Sequence, residues 1–449
     1  MTTPKKGYKL VKSLFRKYVE IPEEWDVKKI NDLFDFSNGI NFVPFSEPEC
    51  DIRVIALPNI NILGNLKFTK KDDFISNETY EKFSKSQLFK DDLLMAMTDV
   101  SPKLNLLGKT ILLQKNGKFA LSYRVGRLRI KNSIKNNVDL NYIKNSLNFD
   151  KIRRQITSKV NGTAQFNVTV STIKNCELFL PELIEQQKIS SIFSNVDHLI
   201  SLYGEIISKI IHLKLGVTLE ILTKGIKHKK FKKINLGVRS QKILIPESWG
   251  AEKLSEFSEH ITKGATPTTY GYEWSKNLKD VLFIRNECIL ENDFQLEGSL
   301  RITKEAHEFM NRSKINSCDL LISITGNIGK TCLFPNTYDE ANINQHIARI
   351  RINSKKLLPK YLVNILNDKK FYSYYYTINQ GLTHPHLSLG QVRNTIIPLP
   401  SIQEQQKITT ILNTLDDKIS NLKLKMKYLE YCKKGLMQKL LTGQIRVSV

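Results

Sequence analysis

The chain is short of several things that would place it outside ordinary intracellular globular proteins. Its cysteines (Cys50, Cys176, Cys288, Cys318, Cys332 and Cys432) are scattered through 449 residues without a Cys-x-x-Cys pair. That pattern excludes a disulfide scaffold and a cysteine-built zinc site, and implies reduced thiols. No stretch approaches the roughly eighteen apolar residues that a membrane-spanning helix needs. The N-terminal segment is basic but has no apolar signal core, so the expected location is the cytoplasm, away from any membrane. Acid is the other shortage. The 44 Asp and Glu face 68 Lys and Arg, a formal charge of +24 that favours a polyanionic partner.

Catalytic signatures are missing as well. Gly329-Lys330-Thr331 suggests a phosphate-binding loop, but that motif needs a glycine five positions before the second one, where Ile324 stands; the twin at Gly108 has Lys103 there. The expected role is a tight turn after a strand, with the lysine free for phosphate. His384-Pro385-His386 has no acidic or cysteine ligand at suitable spacing, and its counterparts are Gln165 and Asn167, which argues against a metal pair. No amino-methyltransferase motif, glycine-rich cofactor loop or nuclease constellation is found, so no catalytic, cofactor or metal residue is expected on this chain.

What the chain does contain is itself, twice. Ile21-Pro22-Glu23-Glu24-Trp25 returns about 220 residues later as Ile245-Pro246-Glu247-Ser248-Trp249. Leu180-Pro181 followed by Glu185-Gln186-Gln187-Lys188-Ile189 returns as Leu399-Pro400 followed by Glu404-Gln405-Gln406-Lys407-Ile408. Between these anchors Asp92-Leu93-Leu94 recurs as Asp319-Leu320-Leu321 and Gly108-Lys109-Thr110 as Gly329-Lys330-Thr331. A duplication of this size means two domains of one kind, each followed by the same connector.

Within each copy, short β-like runs broken by Gly, Asn and Pro predict an α+β domain, at 21–181 and again at 245–399. A long helix follows each, over 182–225 and 400–449. In the first, Ile189, Ile192, Val196, Leu199, Tyr203, Ile206, Ile210, Leu213 and Val217 advance by alternating steps of three and four, a heptad seam; in the second, Leu412, Leu415, Ile419, Leu422, Met426 and Leu429 do the same. A helix of that length spans on the order of 60 Å. Two matching stripes predict an antiparallel coiled-coil spine with an internal pseudo-two-fold; each helix folding back on its own domain is the alternative. Two basic stretches remain, 1–20 and the linker 226–244. The linker reads either as a solvated tether or as a phosphate contact, and the first stretch stands in the equivalent place ahead of Ile21.

The ordered, duplicated set of Ile-Pro-x-x-Trp, Asp-Leu-Leu, Gly-Lys-Thr and Leu-Pro with Glu-Gln-Gln-Lys-Ile opening a helix that closes on Leu-Thr resembles the specificity subunit of type I restriction-modification enzymes. The resemblance covers almost the whole chain. It implies that each α+β unit is a target recognition domain reading one half of a split double-stranded DNA sequence. It further implies that the helices form a ruler and a dock for two modification subunits. S-adenosylmethionine for adenine methylation, and the ATP and Mg used by restriction subunits, are then expected on those partners. A basic coiled-coil scaffold or RNA-binding adaptor is the rival reading.

Base reading needs side chains presenting two hydrogen-bonding groups at once. The first domain offers Arg124, Arg127, Arg153, Arg154, Gln155, Lys159 and Gln165, with Lys109 and the extra loop carrying Lys103 and Asn105. The second offers Arg285, Asn286, Arg312, Asn327, Lys330, Arg349, Gln380, His384 and His386. The six residues by which the first copy is longer between Thr98 and Gly108 read as a recognition loop or a neutral insertion. The aromatic run 371–376 is expected to pack rather than stack on a base.

Overall fold

A computed structural model describes residues 4–12, 18–42, 51–61, 64–69, 71–162, 164–236, 242–379 and 385–448. The chain divides into two compact units, Met1–Gly204 with Leu424–Val449, and Glu205–Lys423. Each unit holds one α+β domain, the near half of the helix that follows it and the far half of the other copy's helix.

The two domains share one topology. In the first, an antiparallel sheet runs Thr110–Leu112, Leu93–Ala96, Val125–Ile130, Phe34–Asn38, beside a mixed sheet ordered Phe74–Ile75, Ile52–Ile55, Phe119–Leu121, Gln87–Leu88. In the second the corresponding sheets are Thr331–Leu333, Leu320–Ser323, Ile347–Ile352, Ser258–Lys263 and Leu300–Ile302, Val281–Ile284, Glu340–Ile343, Lys314–Asn316. The Leu-Leu pairs are buried on both faces of their strand, Leu93 against one core and Leu94 against the other, which is why the motif is a continuous apolar run rather than an alternation. Phe371, Tyr374 and Tyr375 pack into the second core, as the aromatic run predicts.

The basic linker is not a tether. Phe231–Asn235 pairs antiparallel with Lys242–Pro246, and Tyr8–Lys12 pairs in the same way with Tyr18–Pro22. Each basic stretch thus holds one strand of an antiparallel pair whose other strand leads into Ile-Pro-x-x-Trp, and the two pairs are equivalent copies.

The long helices run Leu183–Lys224 and Ile402–Leu440. In the first unit Lys433 donates to Asp197 at 2.6 Å, and in the second Lys214 pairs with Asp416. Within the first unit Glu185 also pairs with Arg446, and within the second Glu404 with His228, so in each unit the residue numbers rise along one segment as they fall along the other and the pairing is antiparallel, as expected. The seam of the second helix falls as the heptads predict. In the first helix it is corrected at alternate positions: Leu199 and Leu213 are exposed, Ile192 and Ile206 lie on the flank, and the inward positions are Phe193, Ile200, Ile207 and Lys214. The cause is that apolar residues stand side by side at 192 and 193, 199 and 200, and 206 and 207, so hydrophobicity alone does not choose between steps of three then four and four then three. At 213 and 214 it chooses wrongly, because the lysine lays its apolar stem inward and its ammonium on Asp416. This register makes a prediction. Ile207→Glu is expected to place an unpaired charge in the seam and lower stability by about 3 kcal/mol or more. Leu213→Glu should stay within about 0.5 kcal/mol of wild type; chemical denaturation of both variants checks it, and the reverse order would restore the original seam.

Candidate nucleic-acid interface

Both domains build the same polar frame from the repeated motifs. Asp92 accepts a two-pronged bond from Arg129 Nε and Nη2 at 2.7 and 2.6 Å, and Asp319 accepts the same from Arg351 at 2.7 and 2.6 Å. The Gly-Lys-Thr motif is the return turn after the Asp-Leu-Leu strand, with Gly108 and Gly329 at φ of 75° and 88°, where a side chain would be strained. An asparagine clamps the threonine that follows: Asn148 Oδ1 accepts from Thr110 N at 3.1 Å and its Nδ2 donates to Thr110 O at 2.7 Å, while Asn367 makes the same pair with Thr331 at 3.0 and 2.7 Å.

Between the two sheets of each domain the chain crosses in three residues, 122–124 and 344–346. Most backbone bonds of this crossover recur in both copies, the exceptions being Tyr123 N, which donates to Ile40 O at 3.0 Å, and His346 N, which donates to the Asn344 side chain at 3.1 Å. Ser122 N donates to Ile55 O and Asn344 N to Ile284 O, each at 3.1 Å; Met97 N donates to Arg124 O at 3.0 Å and Ile324 N to His346 O at 2.9 Å. A glycine passes directly over each crossover: a Cβ on Gly39 would lie 2.3 Å from Leu121 O, and one on Gly264 1.9 Å from Ile343 O. Beside it, Thr98 Oγ1 donates to Asn167 Oδ1 at 2.9 Å in the first domain, and Thr325 Oγ1 lies 3.2 Å from His386 Nδ1 in the second. The side chains on this common frame differ: Ser122, Tyr123, Arg124 and Asn167 against Asn344, Gln345, His346 and His386.

The chain matches the family described as type I restriction modification DNA specificity domain over residues 22–212 and 246–430. The chain belongs to this family. Among its relatives are two specificity subunits of Methanocaldococcus jannaschii: the putative type I restriction enzyme MjaX subunit, 26% identical over 96% of this chain and 95% of its own, and the MjaVIII subunit, 25% identical over the same shares. A solved type I system structure, concerned with complex assembly and conformational transition, shares the fold at a TM-score of 0.57 and 16% identity, covering 95% of this chain and 99% of its own. The S subunit from M. genitalium does so at 0.51 and 16%, covering 93% and 96%.

Against this specificity-domain frame, the residues chosen from sequence separate into two groups. Arg127, Arg153, Gln155 and Arg349 are corrected to framework. Arg127 Nη1 donates to Lys85 O and Gln87 O at 3.3 and 2.9 Å, Arg349 to Lys314 O, and Arg153 to Leu107 O at 2.9 Å and to Leu104 O. Gln155 exchanges both of its amide bonds with the Glu177 backbone at 2.9 Å. Each is buried or half-buried and bonded inside the domain, which the bare presence of an arginine cannot reveal. Arg153 also ties down the extra loop, whose amides at Ser101, Leu106 and Leu107 are gathered by Asp99; Lys103 and Asn105 project from it exposed.

The second group is at least partly exposed to solvent. Arg124, Arg285, Asn286 and His386 stand at or beside the crossovers, Arg124 with its guanidinium 5.0 Å from the Tyr123 ring. Arg154, Lys159, Arg312 and Asn327 are exposed elsewhere on their domains; Gln165, bonded to Asn167, and Lys330 are partly buried. Gln380 and His384 lie outside the described residues. Sequence reasoning missed Tyr123, Gln345 and His346. The signal was present: aligning the two copies at the crossover sets Ser-Tyr-Arg against Asn-Gln-His between matching apolar strands. Among the described residues no group of His, Cys, Asp or Glu is arranged to hold a metal, and no helix is long and apolar enough to cross a membrane.

Two predictions follow from these assignments. Arg127→Ala removes a buried guanidinium that satisfies two carbonyls, and should destabilise the chain by about 2 kcal/mol; Arg124→Ala should leave stability within about 0.5 kcal/mol and change DNA binding. Denaturation and binding on the same two proteins separate the roles. The second concerns Lys109, whose ammonium is pushed down to about 8 by burial, with Arg153, Lys433 and Lys434 adding repulsion. Its folded value lies below the unfolded one, so the folded chain binds fewer protons between about pH 8 and 10.4 and gains stability as pH rises through that window. Lys109→Met should therefore stabilise the protein most below pH 8, the advantage fading by pH 10. Melting curves that differ by a constant amount at every pH would contradict it.

Proposed function

We propose that this chain is the DNA-reading subunit of a type I restriction-modification complex, each domain reading one half of a split duplex target. The observation that carries the reading is the crossover: one backbone frame built twice, carrying different polar side chains in each copy. Two similar folds with unlike polar faces suit a target with two unlike halves. The charge of +24 supplies the sequence-independent part of the affinity through phosphate contacts, and makes that affinity fall steeply with salt.

The paired helices serve as the ruler. Their half-exposed apolar side chains are Leu213 and Leu219 in one unit, and in the other Leu424, Tyr428 and Tyr431, spaced four and three apart on one helix face. Side chains of this kind turned outward from a coiled coil mark an interaction surface, and two modification subunits are the partners assigned to it. S-adenosylmethionine then belongs to those subunits, and ATP and Mg to restriction subunits, with this chain contributing recognition and no chemistry of its own. The adaptor for RNA is the competing reading, and a gel-shift competition separates the two: split-site duplex should outcompete RNA and random duplex.

Methylation-sensitive sequencing of the host genome tests the bipartite reading directly, since modified adenines should lie in a split motif. Exchanging residues 21–181 for the equivalent domain of a relative should change one half of that motif and leave the other intact. For the ruler, four residues inserted between Ser208 and Lys209 add about 6 Å and a rotation of about 40°, with a stutter in the seam. The preferred spacer is expected to change while both half-sites persist. A folded insertion variant, verified by helicity and melting temperature, that retained the original spacer would leave the helices a docking role only.

A further inference from the structure

One cleft of about 550 Å³ in the second domain opens at the crossover. Its floor is Trp274 against Phe283, edge to face at 5.1 Å, and its rim carries Thr266, Arg285, Asn286, Gln345 and His346. Gln345 is exposed yet oriented: Thr266 Oγ1 donates to its Oε1 at 2.5 Å, and its Nε2 lies 3.1 Å from His346 Nε2. Asn344, the first crossover residue, faces inward and accepts from His346 N at 3.1 Å, leaving the next two positions to face out. In the first domain those two positions are Tyr123 and Arg124, the guanidinium resting on the ring.

We infer that the second and third crossover positions are the base-reading pair of each domain, with Gln345 reading an adenine of one half-site and Arg124 a guanine of the other. The inference rests on the DNA-reading function proposed above and assigns its specificity to particular atoms. An amide held at a fixed angle presents a donor and an acceptor side by side, the pattern that matches adenine N6 and N7 in the major groove. A guanidinium fork matches guanine O6 and N7. The two positions carry unlike side chains in the two copies, Tyr123 and Arg124 against Gln345 and His346, as reading two unlike half-sites requires. Ser122 N and Asn344 N, and Arg124 O and His346 O, find equivalent backbone partners in the two domains, so exchanging the side chains at the second and third positions leaves those shared bonds in place.

The test is selection from a duplex library randomised in both half-sites, using the full chain co-expressed with its modification subunits. Gln345→Ala should lose on the order of ten-fold discrimination at a single A·T pair of one half-site, leaving the other half-site and binding to random duplex as in wild type. Arg124→Ala should do the same at a G·C pair of the other half-site. Replacing residues 344–346 by Ser-Tyr-Arg should rewrite preference at one or two adjacent positions of the second domain's half-site. If the triplet variant does not fold, the two single variants, each at a side chain outside the core, decide the matter alone. Unchanged preferences in the single variants, or a uniform loss of affinity for all sequences, would overturn the inference while wild type still selects a split motif. A wild-type complex that selects no split motif would overturn the function on which the inference stands.

Discussion

A carboxylate at the start of each long helix, buried in the first and partly buried in the second, organises everything around it. Glu185 is almost fully buried, and a charge in that position is costly unless it is paired and hydrogen-bonded. Trp25 Nε1 donates to it at 2.9 Å, and Arg446 closes on it with Nε and Nη2 at 2.8 and 2.9 Å. In the second unit Glu404 takes Trp249 Nε1 at 3.0 Å, Ile226 N at 2.8 Å and His228 Nε2 at 2.8 Å. This explains why Ile-Pro-x-x-Trp and Glu-Gln-Gln recur together. The tryptophan enters each domain and the glutamate leaves it, and neither polar group can be buried without the other. The third partner comes each time from just past the end of the other copy's helix, so each domain is completed by the far end of the helix belonging to its twin.

The glutamine after each glutamate extends the same logic to the body of the domain. Gln186 Nε2 donates to Asn137 O and Pro181 O at 3.2 and 2.8 Å, and its Oε1 accepts from Asp139 N at 2.9 Å; Gln405 does the same with Lys356 O, Pro400 O and Leu358 N. One side chain thus satisfies three backbone groups where the helix leaves the domain, which a neighbouring lysine or leucine could not do. With the exit of the helix and the entry of the chain both locked, the polar residues between the sheets are free to differ. That division is visible in the pairs that match between copies, Arg129 with Arg351 and Asn148 with Asn367, and in those that do not, Arg124 with His346 and Asn167 with His386.

The repeat made the architecture legible from sequence: two α+β domains, two long helices and their antiparallel pairing follow from motif order and heptad spacing. The candidate interface was legible only in part, for physical reasons. Arginines at strand positions were read as donors open to DNA, yet Arg127 and Arg349 alternate into the sheet interior, where they donate to backbone carbonyls; pattern shows the residue type but not which face the pleat gives it. The basic linker read equally as a tether or a phosphate contact because lysines alternate with few apolar anchors, while the hydrogen bonds that make Phe231–Asn235 a strand come from Lys242–Pro246. The seam of the first helix was off by one at alternate positions. Carrying the second seam back by the repeat distance sets Leu412 on Phe193, Ile419 on Ile200 and Met426 on Ile207, and gives the observed register.

The same shift sets Lys433 on Lys214, a lysine at an inward position of both helices, each facing an aspartate, Asp197 or Asp416, of the other copy. These pairs are partly open to solvent, so their contribution to stability is small, about 1 kcal/mol or less. Their effect is on choice rather than strength. An all-apolar seam with leucine and isoleucine at neighbouring positions can slide by a heptad, or rotate toward Leu199 and Leu213, at little cost. A lysine in the seam removes those alternatives, because in any other register it meets an apolar layer and loses its aspartate. Polar residues at this one layer of each copy therefore define where along the two helices the pairing falls, and with it the placement of Glu185 opposite Arg446 and of Glu404 opposite His228.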